Sequence, residues 1–553
     1  MRKILLSAIA FISISATAQE QPKGQFFGGF ESNAQWYLHD KGINIHQPED
    51  PVRSNNYLFV NYKYSNWTVG LQAEAYEEKA LLNYNPEFEG TDIATYYLRY
   101  SNGKIDVTAG YFYEQFGSGL LLRSWEDRAL GINNALRGGR VIFAPTNFIT
   151  ITGLYGRQRS GFSVADSDIY GTDLDFGISD VAKWETTALS VGLSYVGRYE
   201  ETDIEAPNFN NLTNGYAGRL NFSHGNFYTS AEYNYKEPDA VVQVQNQIDN
   251  NLIKSGQALL VNLGFTGKGF GIDGTFRRLE NMSFYSERKA KGNSYNDKIM
   301  NFVPSLTKQH HYNLSNIYVY QAQPNVILID QALVKAGEIG GQIDIFYDFA
   351  KGSSIGGKYG TKVALNMSAW NALGGTFSLN NPTAYETDFF GWGRKYFSDY
   401  NLEIIKKWNN KLHTTFAYIN QYYNKKLVEE TAGLVKTNII CAEATYRFST
   451  TRSIRVLGEH MWADSDKKNW AAGTVEYNLN PQWSVYGTDL YNYGNPDEEM
   501  QNHYYNFGGA FRKGSTRVAL SYGRQRGGLV CVGGVCRYVD ESSGLSLSLN
   551  TTF

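Results

Sequence analysis

Apolar and polar side chains alternate along almost all of this chain with a period of two, which belongs to strands with two unlike faces. In "WTVGLQAEAYE", Trp67, Val69, Leu71, Ala73 and Ala75 share one face against Thr68, Gly70, Gln72, Glu74 and Tyr76. In "ALSVGLSYV", Leu189, Val191, Leu193 and Tyr195 oppose Ser190, Gly192 and Ser194. "IICAEATYRF" sets Ile440, Ala442, Ala444, Tyr446 and Phe448 against Cys441, Glu443, Thr445 and Arg447. The chain ends the same way: in "GLSLSLNTTF", Leu545, Leu547, Leu549 and Phe553 lie opposite Ser546, Ser548 and Asn550.

The connections alternate too. Tight turns are predicted at Ser65-Asn66, Asn102-Gly103, His224-Gly225-Asn226, Gly267-Lys268-Gly269, Asn409-Asn410, Asn480-Pro481 and Lys513-Gly514, of which Asn-Gly favours a type I′ hairpin. Between them lie long polar loops at 39–55, 117–136, 200–213, 238–255, 284–336 and 494–501. Short turns on one side and long loops on the other are how bacterial barrels meet the periplasm and the outside. The reading is an all-β, transmembrane antiparallel barrel of about 24 strands, within a range of roughly 20 to 26. The last strand closes the barrel on the first, near Phe26 to Leu38.

Composition agrees with this. The chain holds 41 Tyr, 31 Phe, 10 Trp and 55 Gly beside 12 Pro, an aromatic and glycine enrichment that favours β structure. Mean hydropathy is negative, but a barrel shows lipid only every second residue, so this does not exclude a membrane. Met1-Arg2-Lys3, the apolar stretch Ile4 to Ala16 and Ala16-Thr17-Ala18 read as a Sec signal peptide over residues 1–18, leaving residues 19–553 as one barrel domain. Only a few residues separate that site from the first strand, so an N-terminal plug domain is not expected. Losing Arg2 and Lys3 takes the formal charge from −3 to −5, which gives no basic field for nucleic acid.

A secreted soluble sandwich or solenoid would also alternate. Three features favour the membrane: aromatics near strand ends (Trp36, Tyr62, Tyr64, Trp67, Tyr100, Tyr111, Tyr195, Tyr446, Tyr477), the persistent turn-loop asymmetry, and a terminal aromatic. Phe553 looks like a C-terminal signal for the barrel assembly machinery. The expected setting is the outer membrane, in contact with its lipid and lipopolysaccharide.

The least strand-like segment is Gly110 to Val141. Leu121, Trp125, Ala129 and Leu130 have helical spacing, so a helix over 120–137, ended by Gly138-Gly139, is expected. Arg123, Glu126, Asp127, Arg128, Arg137 and Arg140 cluster there and are the candidate pore constriction, on a loop folded into the lumen where charges filter solutes. The competing reading is a solvated external helix. The segment resembles a motif of an uncharacterised outer-membrane family of Bacteroidota, on "FYEQFGSGL" with "RSWEDRALGINNALRGGRV", "LTKQHHYNL", "GGKYGTK" and "LVCVGGVCRYV". The resemblance implies class and location and no activity.

In "CVGGVC", Gly533-Gly534 suits a I′ turn that sets Cys531 opposite Cys536, so a disulfide pinning a surface hairpin is expected over free thiols or a redox or metal site. Cys441 lies on the wet face and reads as inert. "YGRQRSG" and "YGRQRGG" put Arg157, Arg159, Arg524 and Arg526 just beyond an aromatic girdle, where guanidinium groups could bind lipopolysaccharide phosphate. The favoured alternative is a glycine bulge that turns them into the loops or lumen. His310-His311 offers no metal spacing, no Ser–His–acid arrangement stands out, and no enzymatic activity or cofactor is expected. Two functions follow: a porin-like channel for polar solutes restricted by inward loops, or a closed barrel acting as a platform for a surface lipoprotein or secretion partner.

Overall fold

Each alternating segment becomes a strand bonded to its sequence neighbours. The computed structural model describes residues 24–201, 209–242, 248–288, 298–328, 332–377, 385–431 and 433–553. The stretch read as a signal peptide lies outside them. The strands are β1 Gln25–Tyr37, β2 Val52–Tyr64, β3 Trp67–Glu77, β4 Gly90–Ser101, β5 Ile105–Phe112 and β6 Leu136–Thr146. Next come β7 Ile149–Ser160, β8 Asp168–Gly177, β9 Thr187–Tyr199, β10 Leu212–His224, β11 Phe227–Val242 and β12 Ile248–Gly267. The second half adds β13 Phe270–Glu280, β14 Glu338–Phe349, β15 Thr361–Thr376, β16 Glu386–Lys407, β17 Leu412–Tyr423 and β18 Val435–Arg447. It ends with β19 Ser453–Ala463, β20 Trp470–Asn478, β21 Trp483–Tyr491, β22 His503–Lys513, β23 Thr516–Gln525 and β24 Ser542–Thr552.

The main sheet holds 25 strands, one of them the two-residue Ser163–Val164, which pairs only with the upper end of β7. The other 24 run antiparallel in chain order, and β24 pairs with β1 from Gly29↔Thr552 to Tyr37↔Gly544. The barrel is closed, so no edge is left unpaired in lipid. The tail reads as expected: register places Ser546, Ser548 and Asn550 level with the inward Gln35, Asn33 and Glu31.

The outer face carries exposed Leu58, Leu71, Leu98, Leu193, Leu220, Leu263, Ile343, Leu520 and Leu547. Near the strand ends aromatic rings pair across neighbours, as Phe26 with Tyr62, Trp67 with Tyr100, Tyr155 with Tyr170, Tyr195 with Tyr216 and Trp483 with Phe511. An apolar belt edged by aromatics, on a closed antiparallel barrel, is the build of an outer-membrane protein. No helix among the described residues is long and apolar enough to cross a membrane; the crossing is made by strands.

All the predicted tight turns lie at the end where the chain's last residue lies. Two connections there are longer than expected, 178–186 and 350–360. The loop predicted at 238–255 is instead mostly strand, since β11 and β12 continue to Val242 and from Ile248. On the opposite side, the 113–135, 281–337 and 526–541 connections turn back into the barrel.

Candidate functional site: loops seated in the lumen

The lumen is filled from the extracellular side by these three loops, and the wall holds them through buried carboxylates. Nothing in a polar lumen would bury Leu120, Leu121 and Leu122 unless other chain covered them, and each is at most 2% exposed. Leu121 and Leu122 pack with Phe116 of their own loop, with Phe112, Leu154, Ile169 and Val196 of the wall, and with Phe284 and Met300 of the 281–337 loop. The expected helix over 120–137 does not form. Two short ladders replace it, Gln115–Phe116 with Leu122–Arg123 and Glu126–Asp127 with Ile132–Asn133. The physical reason is that consecutive leucines are buried, which one helical face cannot do. Gly119 also turns the chain at φ +89, with a Cβ there only 3.1 Å from Arg123.

The loops interlock through backbone groups. The Arg123 amide donates to Met300 O and the Phe302 amide to Gly119 O, each at 2.8 Å. Asn134 Nδ2 and Gln158 Nε2 both donate to Ile299 O. Asn301 Nδ2 reaches Leu120 O and Met282 O. On the wall, Glu232 of β11 accepts from the Ser118 amide at 2.8 Å and its hydroxyl at 2.9 Å.

The second half of the 281–337 loop crosses to the opposite wall. Glu459 of β19 accepts from the Asn313 amide at 3.1 Å, Asn313 Nδ2 at 2.9 Å and the Leu314 amide at 2.9 Å. Glu338, fully buried at the start of β14, accepts from Tyr320 Oη, the Gln323 amide and Arg277. Lys308 pairs with Glu403, His310 with Asp399 and His311 with Glu443. Around these bonds Tyr312, Leu314, Tyr318 and Tyr320 pack against inward Trp370, Ile419, Tyr423, Ile439, Cys441, Met461 and Trp470. Cys441 therefore sits on the inner wall as expected, but in an apolar cluster and not in water.

Cys531 and Cys536 are disulfide-bonded across the ladder, with Cα atoms 4.0 Å apart. The hairpin is not on the surface; it points into the lumen. The Ser305 amide donates to Gly534 O at 2.8 Å, and Gly534 is needed because a Cβ would lie 2.7 Å from Ser305 O. Arg537 donates to Asn83 O and Leu130 O, and Arg526 to Asn316 O.

The six candidate constriction residues divide. Arg128 pairs with Glu31 of β1 and with Glu126, over the ring of Tyr57. Burial opposes its charge, and the two carboxylates outweigh this and raise its pKa. Glu126 also accepts from Gln72, and Asp127 caps the Leu130 amide. Arg140 of the wall bonds Asp106 of β5 and Glu114 at the start of the 113–135 loop, while burial pushes the Glu114 pKa up. Arg123 lies over the rings of Trp125 and Phe302. Arg137 is a correction: its partners Tyr111 and Arg157 lie on the outer face, so it is exposed outside the barrel.

Of the four arginines weighed for lipopolysaccharide contact, two turn inward, in line with the favoured alternative. Arg159 is 2% exposed and bonded to Glu74 in the lumen, because β7 parts from β8 after Gly156 and from β6 after Gln158, and its end turns to pair with Ser163–Val164. Arg526 turns inward to the 281–337 loop. Arg157 stays outside, paired with Asp168, and Arg524 is held by Asp40. The carboxylates that grip the loops were not singled out from sequence as a set. Apolar residues on wet faces, such as Ile439 and Trp470, are the signal that would have found the seat.

A family described as being of unknown function, DUF6029, matches residues 1–553. The chain belongs to it. No curated protein sequence matches the chain. Among solved structures it is similar to the siderophore receptor PirA from Pseudomonas aeruginosa, at a TM-score of 0.41 and 7% identity over 97% of this chain and 81% of that one. It is similar to a BenF-like porin from Pseudomonas fluorescens Pf-5, at 0.34 and 9% over 85% and 98%. It is also similar to OccK9 (OpdG) of Pseudomonas aeruginosa, at 0.36 and 11% over 76% and 98%. These likenesses are weak, and the barrel stands on its own ladder of strand pairs. In this DUF6029 chain the stretches "FYEQFGSGL", "LTKQHHYNL" and "LVCVGGVCRYV" all fall in the three inward loops, whereas "GGKYGTK" lies at the 350–360 connection on the far side.

Proposed function

We propose that the protein is an outer-membrane channel for polar solutes, held closed by its own loops. The observation that supports this is the way the loops are seated. Glu232, Glu338 and Glu459 grip them by separate hydrogen bonds, and no loop strand joins the barrel ladder. Separate bonds break one at a time, so the filling can lift while the wall stays intact. Paired charges such as Arg128 with Glu31 then serve as catches and not as a filter. The test is planar-bilayer conductance of purified protein. The wild type is expected to open rarely, and a variant lacking 306–323 to conduct steadily; a shortened variant that folds and stays silent refutes the channel.

A closed barrel serving as a platform for a surface lipoprotein or secretion partner is the second reading. The full seating of the loops, with their charges paired, favours it. It requires a stoichiometric partner in native membrane extracts and no conductance from either variant.

A further inference from the structure

The loops do not cover the wall evenly. Around β8 to β20 several inward polar side chains are fully buried where the loops lie against the wall, with Asn234 0% exposed, Asn366 1% and Ser368 2%. Nearer the lower rim, Asp175 is exposed and Glu476 half-buried. On that side the filling reaches Thr474 of β20, bonded by Asn313, and at the upper ends of β21 and β22 Leu490 and Tyr504, which pack on the cluster of loop tyrosines. On the other side the filling reaches β1, where Arg128 takes Glu31. Between them, β21 to β24 turn inward Thr488, Asn506, Ser521, Ser546 and Ser548, joined by Asn33 of β1. All six are only half-buried. Among the described residues none of the six hydrogen-bonds to the three inward loops. The filling is off-centre, and it leaves a strip of small, uncharged, hydrogen-bonding side chains.

The charges are divided in the same way. The wall that grips the loops is acidic, with Asp399, Glu403, Glu443 and Glu459. Along the inward faces of β21 to β24, β1 and β2, Glu31 is the one carboxylate among the described residues, and it is taken by Arg128. At the foot of the strip, next to the 514–515 turn, Arg512 and Arg517 face each other across the β22–β23 ladder. Both are exposed, and among the described residues neither has an ion pair. Lys63, inward at the lower end of β2, is exposed and unpaired in the same sense. Like charges set opposite each other are unfavourable unless counter-ions occupy the space between them.

We infer that the permeation route of this channel runs along the β21–β24 wall and takes small anions, such as carboxylates and phosphates, gathered at the periplasmic mouth by Arg512 and Arg517. The inference rests on the channel reading above. Guanidinium groups suit planar and tetrahedral oxyanions, and hydroxyls and amides along the strip replace lost water without trapping the ion. Above, the strip is closed. Ser542 and Ser543 are 4% and 2% exposed where Leu38 N donates to Ser543 O and Arg524 holds Asp40.

The test uses the full-length protein in liposomes with single cysteines at Ser521, Ser546 or Asn366, and thiosulfonate reagents of either charge. S521C and S546C are expected to react, the anionic reagent several-fold faster, and N366C to stay unlabelled. Arg512→Gln with Arg517→Gln should erase that preference and lower anion over cation selectivity in bilayers by at least about twofold. Conductance with S521C and S546C unlabelled, or with no anion preference, overturns the route and leaves the channel reading standing. Labelling with anion preference but no conductance overturns the channel, and the route with it.

Discussion

Replacing Glu459 by alanine should unseat one half of the filling without opening the barrel wall. The carboxylate is 6% exposed and accepts three hydrogen bonds from Asn313 and Leu314, two of them backbone amides. A bond to a charged acceptor is worth about 1.5–3 kcal/mol, and each buried amide left unmet costs about 1–3 kcal/mol. These terms overlap, so the loss is about 4 kcal/mol, near a thousandfold in the seated population. Glu459→Gln keeps an acceptor oxygen and should lose only about 1 kcal/mol. The assay is hydrogen exchange of the 306–323 segment, with heat-modified gel mobility to show that the barrel is folded. Exchange in Glu459→Ala should approach that of an open loop, with Glu459→Gln close to wild type. A folded Glu459→Ala barrel whose 306–323 amides stay protected would refute the idea that wall carboxylates seat the loops.

Other outcomes are expected from the same geometry. The Cys531–Cys536 bond spans a sequence separation of 5, so reducing it should loosen the hairpin by about 2 kcal/mol, read as faster exchange at 528–539 and at Ser305. Burial raises the Asp40 pKa, but the Arg524 bonds and the Gly42 amide outweigh it and leave the pKa below 3.8. That latch is thus present above pH 3.8 and lost as pH falls through the lowered value; protection of 38–51 should drop in acid, and Asp40→Asn should remove the dependence. Burial lowers the Lys335 pKa to about 8, partly opposed by Glu430. Its stabilising contribution, ~3 kcal/mol, is therefore full above 10.5 and lost as pH falls to 8, and Lys335→Met should flatten the profile of 332–337 exchange. Phe553 is exposed at the barrel's lower rim, and its deletion should cut the amount of assembled protein in outer membranes several-fold; unchanged yield would remove its role as an assembly signal.

The wall was largely legible in the sequence because lipid on one side and a different medium on the other impose a strict period of two. "GLSLSLNTTF" and Asn102-Gly103 each specify their structure locally. The loops were not legible, since their conformation is set by what they touch. Leu121, Trp125 and Ala129 have helical spacing, yet Leu121 and Leu122 are held by Phe284 and Met300, more than 160 residues away. Arg159 obeys the outward parity of Tyr155 and Arg157 in sequence and breaks it in space, because the strand bends over the rim to Glu74. The inner wall was read as wet throughout. Ile419, Ile439 and Met461 contradict that where another part of the chain, and not water, lies against them.

The disulfide hairpin touches the chain's beginning, middle and end. Arg537 bonds Asn83 and Leu130, Gly534 bonds Ser305, and the hairpin hangs between β23 and β24. Its contacts with the early loops bridge the seam where β24 meets β1, so they complete only once the first and last strands have come together. The hairpin is then the keystone of assembly. Until the seam is sewn, the lumen of the growing barrel lacks its central post, and the final locking of the loops reports that the last strand has found the first.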